Sequence, residues 1–199
     1  MSQQKVPRRQ LILESLAREL ERNPGGRITT ASLGRAVGIS EAALYRHFAS
    51  KARMFEGLID FAEESVFARI NQILQEQEQV QVRCGQILYL LLVFAERNPG
   101  ITRVLLGEAL VGETERLLLR VGQFFDRVET QLKQVLREAG ARHGEGVLAT
   151  DPALAAHLMT SLVEGLMHQY LRSRFKRSPL QHWEQQWQLL SSGLFNPPG

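Results

Sequence analysis

Cysteine is almost missing from the chain. Cys84 is the only one in 199 residues, so an internal disulfide is excluded and the composition suits a reducing cytoplasm. It lies in an apolar helical stretch, where a thiol more often fills a core than acts as a nucleophile. The five histidines are scattered, and no Cys/His cluster has metal-ligand spacing, so no metal is expected. No glycine-rich loop is placed to cradle a phosphate, and no nucleophile–base pair or cofactor motif is visible. The chain therefore reads as a non-enzyme with no cofactor. No apolar run reaches the about 18 residues that a membrane span needs. The N-terminus, MSQQKVPRRQ, is polar and basic with no apolar core after it, so it is not a secretory signal. Internal repeats and strand-type alternation are lacking as well.

What is present is helical periodicity and an uneven charge. Hydrophobic content of 44% is ample for a core, and the length suits one to two domains. Residues 1–55 hold ten Lys/Arg and four Asp/Glu, net +6. Residues 56–199 hold fourteen and seventeen, net −3. A basic head on a mildly acidic body points to a polyanion-binding end.

The head carries a compact helical hairpin. Thr29 and Thr30 are N-cap residues before the periodic Leu33, Ala36 and Val37. Gly38 supplies a sharp turn, and Ser40 starts a second helix, 41–48, with only the first half of a capping box. Helix, glycine turn, helix in about 20 residues is helix-turn-helix spacing. Leu33, Val37, Ile39, Leu44 and Phe48 would face the core. Ser40, Glu41, Ala42, Tyr45, Arg46 and His47 would face outward, a polar and basic face suited to a major groove. An ordinary helical hairpin has the same periodicity.

Around it, residues 8–22 read as a supporting helix preceded by a short basic arm, Lys5, Arg8 and Arg9, which is either a phosphate contact or a frayed terminus. Ser50 caps a long fourth helix, 51–76, with Met54, Phe55, Leu58, Ile59, Ala62, Val66 and Ile70 inward and Phe61 and Phe67 off the stripe. Lys51, in its first turn, is placed for a phosphate. Helix five, 80–97, is apolar nearly all round and should be buried, with Tyr89 and Cys84 as its inward polar groups. A short helix six is expected at 101–111, helix seven at 113–140 and a loop at 140–150. Helix eight starts at Asp151-Pro152 and runs to 175, its apolar face including Leu154, Leu158, Leu162, Leu166 and Tyr170. Helix nine ends near 193, before a tail that cannot extend it.

Ser40, Leu44, Tyr45, Phe48 and Lys51, in the pattern Ser-x-x-x-Leu-Tyr-x-x-Phe-x-x-Lys, closely resemble the recognition helix and following turn of the TetR family of bacterial regulators. The resemblance implies an all-α, nine-helix fold with a helix-turn-helix DNA-binding head (1–52) and a helical body (53–199). It further implies a homodimer through helices eight and nine, reading palindromic double-stranded DNA with Thr29, Thr30, Ser40, Glu41, Ala43, Tyr45, Arg46, His47 and Lys51. RITTASLGRAVGISEAALYRHF, SKARMFEGLIDFAEES, FAERNPGITRVLLGEAL, QLKQVLREAGARHGEG and RSRFK are similar to the nucleoid occlusion branch of that family. That likeness implies a cytoplasmic, nucleoid-bound dimer that antagonises the tubulin-like division protein FtsZ. The FtsZ tail would bind between helices four and five at Phe61, Arg69, Leu90, Arg97 and Asn98. The residues lend modest support. Phe61 and Arg69 are two turns apart on one side of a helix, and an apolar anchor beside a cation suits an acidic-apolar peptide. Phe61 in the core and Arg69 on a glutamate is the plain alternative. A ligand-responsive repressor on the same fold is the other function that the resemblance allows.

Overall fold

A computed structural model describes residues 7–143 and 148–195. Lys5 of the expected arm, residues 144–147 of the expected loop and 196–199 of the tail lie outside the described residues. The described residues form nine α-helices and one 3-10 turn, with no strand beyond an isolated bridge between Leu148 and Phe195. The helices are α1 (Arg8–Arg22), α2 (Thr30–Val37), α3 (Glu41–His47), α4 (Lys51–Glu76), α5 (Val80–Arg97), α6 (Pro99–Leu105), α7 (Glu115–His143), α8 (Pro152–Arg172) and α9 (Trp183–Leu194). They make two compact units, Met1–Glu63 with Asn98–Val121 and Glu64–Arg97 with Gly122–Gly199.

The first unit is built on α1. Ile12, Leu16 and Leu20 are fully buried on its inner side. Gly100 lies so close to α1 that a Cβ there would stand 2.0 Å from the Ala17 carbonyl oxygen. Only glycine permits this approach of α6 to α1. Arg103, on α6, is 1% exposed. Its guanidinium donates to the carbonyls of Leu20, Asn23 and Gly26 and pairs with Glu108. It thereby satisfies carbonyls that the end of α1 leaves without helical partners. The expected helix at 101–111 is instead α6 and a 3-10 turn, Glu108–Leu110, separated by Gly107 at φ 76°.

The second unit is centred on α5. Cys84, Ile87, Leu88, Leu91 and Leu92 are buried, whereas Tyr89 is 47% exposed and not the inward polar group expected. Burial pushes the Cys84 thiol up to about 12, so no thiolate forms near neutral pH. Gly85 admits the Trp187 indole, whose Nε1 would be 2.7 Å from an added Cβ. The expected α7 stripe, Leu117 to Leu136, is buried, and the helix continues past Gly140 to His143. The α8 stripe is rotated from the expected one. Ala155, Ala156, Met159, Val163, Leu166, Met167 and Tyr170 face inward, while Leu154 and Leu158 are 50% and 42% exposed. The helix stops at Arg172, not 175, because Arg174 and Phe175 adopt φ of 53° and 64°.

Gly100→Ala should cost about 2 kcal/mol through overpacking against backbone, lowering Tm by roughly 4–8 °C in a chain of this size; thermal unfolding followed by circular dichroism measures it. Glu164, on α8, has its pKa raised by burial and then by Glu129 and Asp126, against a smaller opposing effect of His157. Its charge therefore opposes folding at neutral pH, and that cost is lost as pH falls from the raised folded value to the ordinary carboxylate range, below which it is absent. Glu164→Gln should raise Tm at neutral pH and leave it unchanged in acid, a comparison that calorimetry at the two pH values provides.

Candidate functional site

The hairpin forms as its residue types require. Thr29 caps α2: its hydroxyl accepts from the Ser32 N–H at 3.1 Å, and the Ser32 hydroxyl accepts from the Thr29 N–H at 3.2 Å. Ser32 thus completes a capping box that sequence reading did not single out. At the other end Gly38 adopts φ 74°, and the Gly38 and Ile39 N–H groups donate to Arg35 and Gly34 carbonyls. This is the Schellman ending, which needs a left-handed residue. Gly34 is a second requirement: a Cβ there would be 2.8 Å from the Ile39 carbonyl oxygen. Leu33, Leu44 and Phe48 are buried as expected; Val37 and Ile39 are half-buried.

On α3 the outward face is as expected. Ser40, Glu41, Ala42, Tyr45, Arg46 and His47 are all exposed, and Ala43 is half-buried. Ser40 caps the helix by accepting from the Ala43 N–H at 3.2 Å, which leaves its hydroxyl proton for another acceptor. Thr30 and Glu41 are tied to each other, the hydroxyl donating to the carboxylate at 2.8 Å. They fasten α2 to the start of α3. Arg9 stacks over the Phe48 ring at 4.5 Å, so this member of the basic arm also holds α1 to the end of α3.

Lys51 is not a bare cation. Ser50 caps α4 by accepting from the Arg53 N–H at 3.2 Å, which places Lys51 in the first turn. Its ammonium lies 2.6 Å from Glu113 Oε1, and the two side chains are 22% and 13% exposed. Arg27 crosses the same loop, its Nη2 3.4 Å from where a Gly112 Cβ would be. Arg27, Lys51, Arg103, Glu108 and Glu113 line one cavity of about 300 Å³. Sequence reasoning missed Arg27, Arg103 and Glu113, because their partners lie tens of residues away in the chain.

The residues expected at the peptide site lie in both units. Phe61, in the first, is 48% exposed on α4. Asn98, also in the first, is half-buried at the start of α6. In the second, Arg69 is exposed, donating to Gln72 at 2.8 Å and lying 4.0 Å from Glu76. Leu90 is half-buried and Arg97 exposed on α5. Phe67, the other off-stripe ring, packs edge-on against Phe124 at 5.8 Å beneath the Arg127 guanidinium. Among the described residues no group of three or more His, Cys, Asp or Glu could hold a metal, and no helix is long and apolar enough to cross a membrane.

Comparison with known proteins agrees with this geometry. Residues 12–58 match the family described as bacterial regulatory proteins, tetR family, and residues 78–195 match the tetracyclin repressor-like, C-terminal domain of SlmA-like type. The chain is 56% identical over 190 residues to the nucleoid occlusion factor SlmA of Shewanella loihica and 55% identical to that of Shewanella woodyi, covering 96% of each chain. The chain belongs to the SlmA family of nucleoid occlusion factors. Solved structures carry the same fold at low identity. The fatty acid degradation regulator FadR of Bacillus halodurans has a TM-score of 0.79 at 14% identity, covering 96% of this chain and 98% of its own. The MbdR regulator of Azoarcus has 0.78 at 14%, covering 94% and 99%. For this SlmA-family chain the helix-turn-helix is therefore a DNA-binding element of TetR type.

A phosphate brought to Lys51 would have to compete with Glu113, since two anions on one ammonium repel each other. Glu113→Gln should tighten binding to any duplex at low salt and steepen the salt dependence by about 0.9 in log–log slope per added phosphate contact. Fluorescence anisotropy titrations across a salt series measure both; weaker binding by the variant would mean that Glu113 positions Lys51 instead.

Proposed function

We propose that the protein acts as a DNA-bound homodimer that antagonises FtsZ assembly, keeping division septa off the chromosome regions that carry its sites. The observation that carries the reading is the exposed α3 face of Ser40, Tyr45, Arg46 and His47, on a chain whose SlmA likeness extends through the body. In this reading residues 1–52 form the DNA-binding head and residues 53–199 the body. Tyr45, Arg46 and His47 face the major groove, while Thr29, Ser40 and Lys51 serve the phosphates and Ala43 makes room for close approach. Thr30 and Glu41 keep the two hairpin helices in register and leave Glu41 at the groove edge.

Dimerisation fits the rotated α8 stripe. Leu154 and Leu158 on α8 and Leu189 on α9, 76% exposed, present apolar surface that one chain leaves to water. Small residues accompany them: an added Cβ at Gly165 or Gly193 would meet nothing within 4 Å, so a second chain could approach closely there. Two copies packing α8 and α9 make a four-helix bundle, and the two-fold axis matches a palindromic duplex. The FtsZ tail is assigned to Phe61, Arg69, Leu90, Arg97 and Asn98. Phe61 is the apolar anchor, its exposure being unusual for a ring of that size, and the two arginines attract acidic residues. DNA binding places the protein on the nucleoid in the cytoplasm.

The test is sedimentation of FtsZ polymers with GTP and this protein, with and without a palindromic duplex selected by the protein itself. The expected result is loss of pelleted polymer when the duplex is present. Phe61→Ala should abolish that loss and leave duplex affinity within about twofold, since the residue is remote from the phosphate contacts that dominate affinity. Polymers indifferent to the DNA-bound protein would sink the reading.

A further inference from the structure

Three aromatic residues are exposed among the described residues: Tyr45, Phe61 and Tyr89, at 46%, 48% and 47%. Tyr45 lies on the α3 face, and Phe61 is assigned to the tail site. Tyr89 is used by neither. It stands on α5, in the second unit, and not on α8 or α9, whose outer faces are given to the dimer. The burial pattern of α5 explains its exposure. Cys84, Ile87, Leu88, Leu91, Leu92 and Ala95 are buried. Gln86, Leu90 and Val93 are half-buried and Arg97 is exposed, at steps of four, three and four residues. That spacing is one side of a helix, so α5 keeps a strip open to solvent. Tyr89 adjoins the strip, three residues from Gln86 and four from Val93, the separations at which helical side chains are neighbours.

A tyrosine that only closed the rim of the core would also rest on its neighbours, and Tyr89 does rest on Trp183, with ring centres 6.5 Å apart. That contact leaves nearly half of the residue in water. Trp183 is itself 8% exposed and stacks on Trp187 at 6.0 Å, so Tyr89 is backed by a fixed aromatic pair. A ring already held in place loses little conformational entropy when a ligand covers it, which suits tyrosine to binding surfaces. The strip is apolar at Tyr89, Leu90 and Val93 and ends in a cation at Arg97. Apolar surface with charge at one end complements an acidic-apolar peptide. We infer, on the tail-site reading, that Tyr89 is a further contact of that site, seating an apolar side chain of the bound tail beside Leu90 and Val93. Leu90 and Arg97 already belong to the assigned site, so Tyr89 continues it along α5. Eight residues separate Tyr89 from Arg97, about 12 Å along a helix. An extended peptide covers that in three to four residues. The tail therefore carries its carboxylate for Arg97 three or four residues from the side chain seated at Tyr89.

The test titrates a fluorescein-labelled peptide of the FtsZ C-terminal tail with the full-length protein, free and duplex-bound, and reads anisotropy. A parallel titration with unlabelled, tryptophan-free tail peptide reads the emission of Trp183 and Trp187, the two tryptophans of the chain. Tyr89→Ala should weaken tail binding at least about tenfold, as truncation of an aromatic anchor does. Tyr89→Phe, which keeps the ring, should stay within about twofold of the wild-type protein. Saturating peptide should shift the tryptophan emission of the wild-type protein and of Tyr89→Phe, while duplex affinity and the dimer in sedimentation velocity stay the same in all three. Tail binding that Phe61→Ala abolishes and Tyr89→Ala leaves unchanged, with a static tryptophan emission, would overturn the role of Tyr89 and leave the tail site standing. Dissociation of Tyr89→Ala into monomers would overturn it in favour of a contact between copies of this chain. No tail binding by the wild-type protein, with or without duplex, would overturn the tail-site reading and the role of Tyr89 together.

Discussion

Arg103 is the constraint on which the DNA-binding unit depends. A guanidinium that is 1% exposed cannot be left unpaired, since an uncompensated buried charge is strongly destabilising. It is paired with Glu108 and fully engaged by the carbonyls of Leu20, Asn23 and Gly26. Those carbonyls belong to the end of α1 and to the Asn-Pro-Gly-Gly turn that leads into the hairpin. The angle at which the chain enters α2 is thereby coupled to α6, and any shift of α6 along α1 must break several charge-assisted hydrogen bonds together. Gly100 completes the arrangement by letting the two helices approach until a methyl group would no longer fit.

The same unit contains an electrostatic competition. Lys51 sits where a helix start and a cation together would hold a phosphate, yet it is held by Glu113 from the loop before α7. A partly buried pair of this kind is screened less by salt than a surface pair. The freedom of the Lys51 ammonium therefore depends on a residue 62 positions away in the chain. Arg27, across Gly112 of that loop, brings a second head cation to the same place. The loop between the 3-10 turn and α7 is thus part of the head's charge balance although it is not part of the hairpin.

In the body, the difference between expected and observed α8 is informative. Leu154 and Leu158 continue the leucine spacing of Leu162 and Leu166, and periodicity alone assigns them to one apolar face. In the folded chain Ala155, Ala156, Met159 and Val163 take the inner side, because small residues let α8 lie close to α5. The large leucines remain outside. A helix with apolar residues on two sides cannot tell from its own sequence which side meets the protein's interior and which meets another chain.

Local chemistry was legible in the sequence. Thr29, Gly38, Ser40 and Ser50 act within three or four residues of themselves, so the boundaries of α1, α4 and α5 and the helix, glycine turn, helix order of the hairpin followed from capping, turn and period rules, although Val37 and Ile39 are only half-buried. The α3 face and the inner stripes of α4 and α7 followed for the same reason. What depended on distant partners did not. The roles of Gly34, Gly85 and Gly100 are set by a backbone or ring that arrives from another element. The pairing of Lys51 with Glu113, the burial of Arg103, the break at Gly107 and the rotation of α8 are decided by packing between elements far apart in the chain. A sequence determines which residues can cap, turn or share a helix face; only the tertiary structure determines which of two permitted faces is covered and which opposite charge a cation meets.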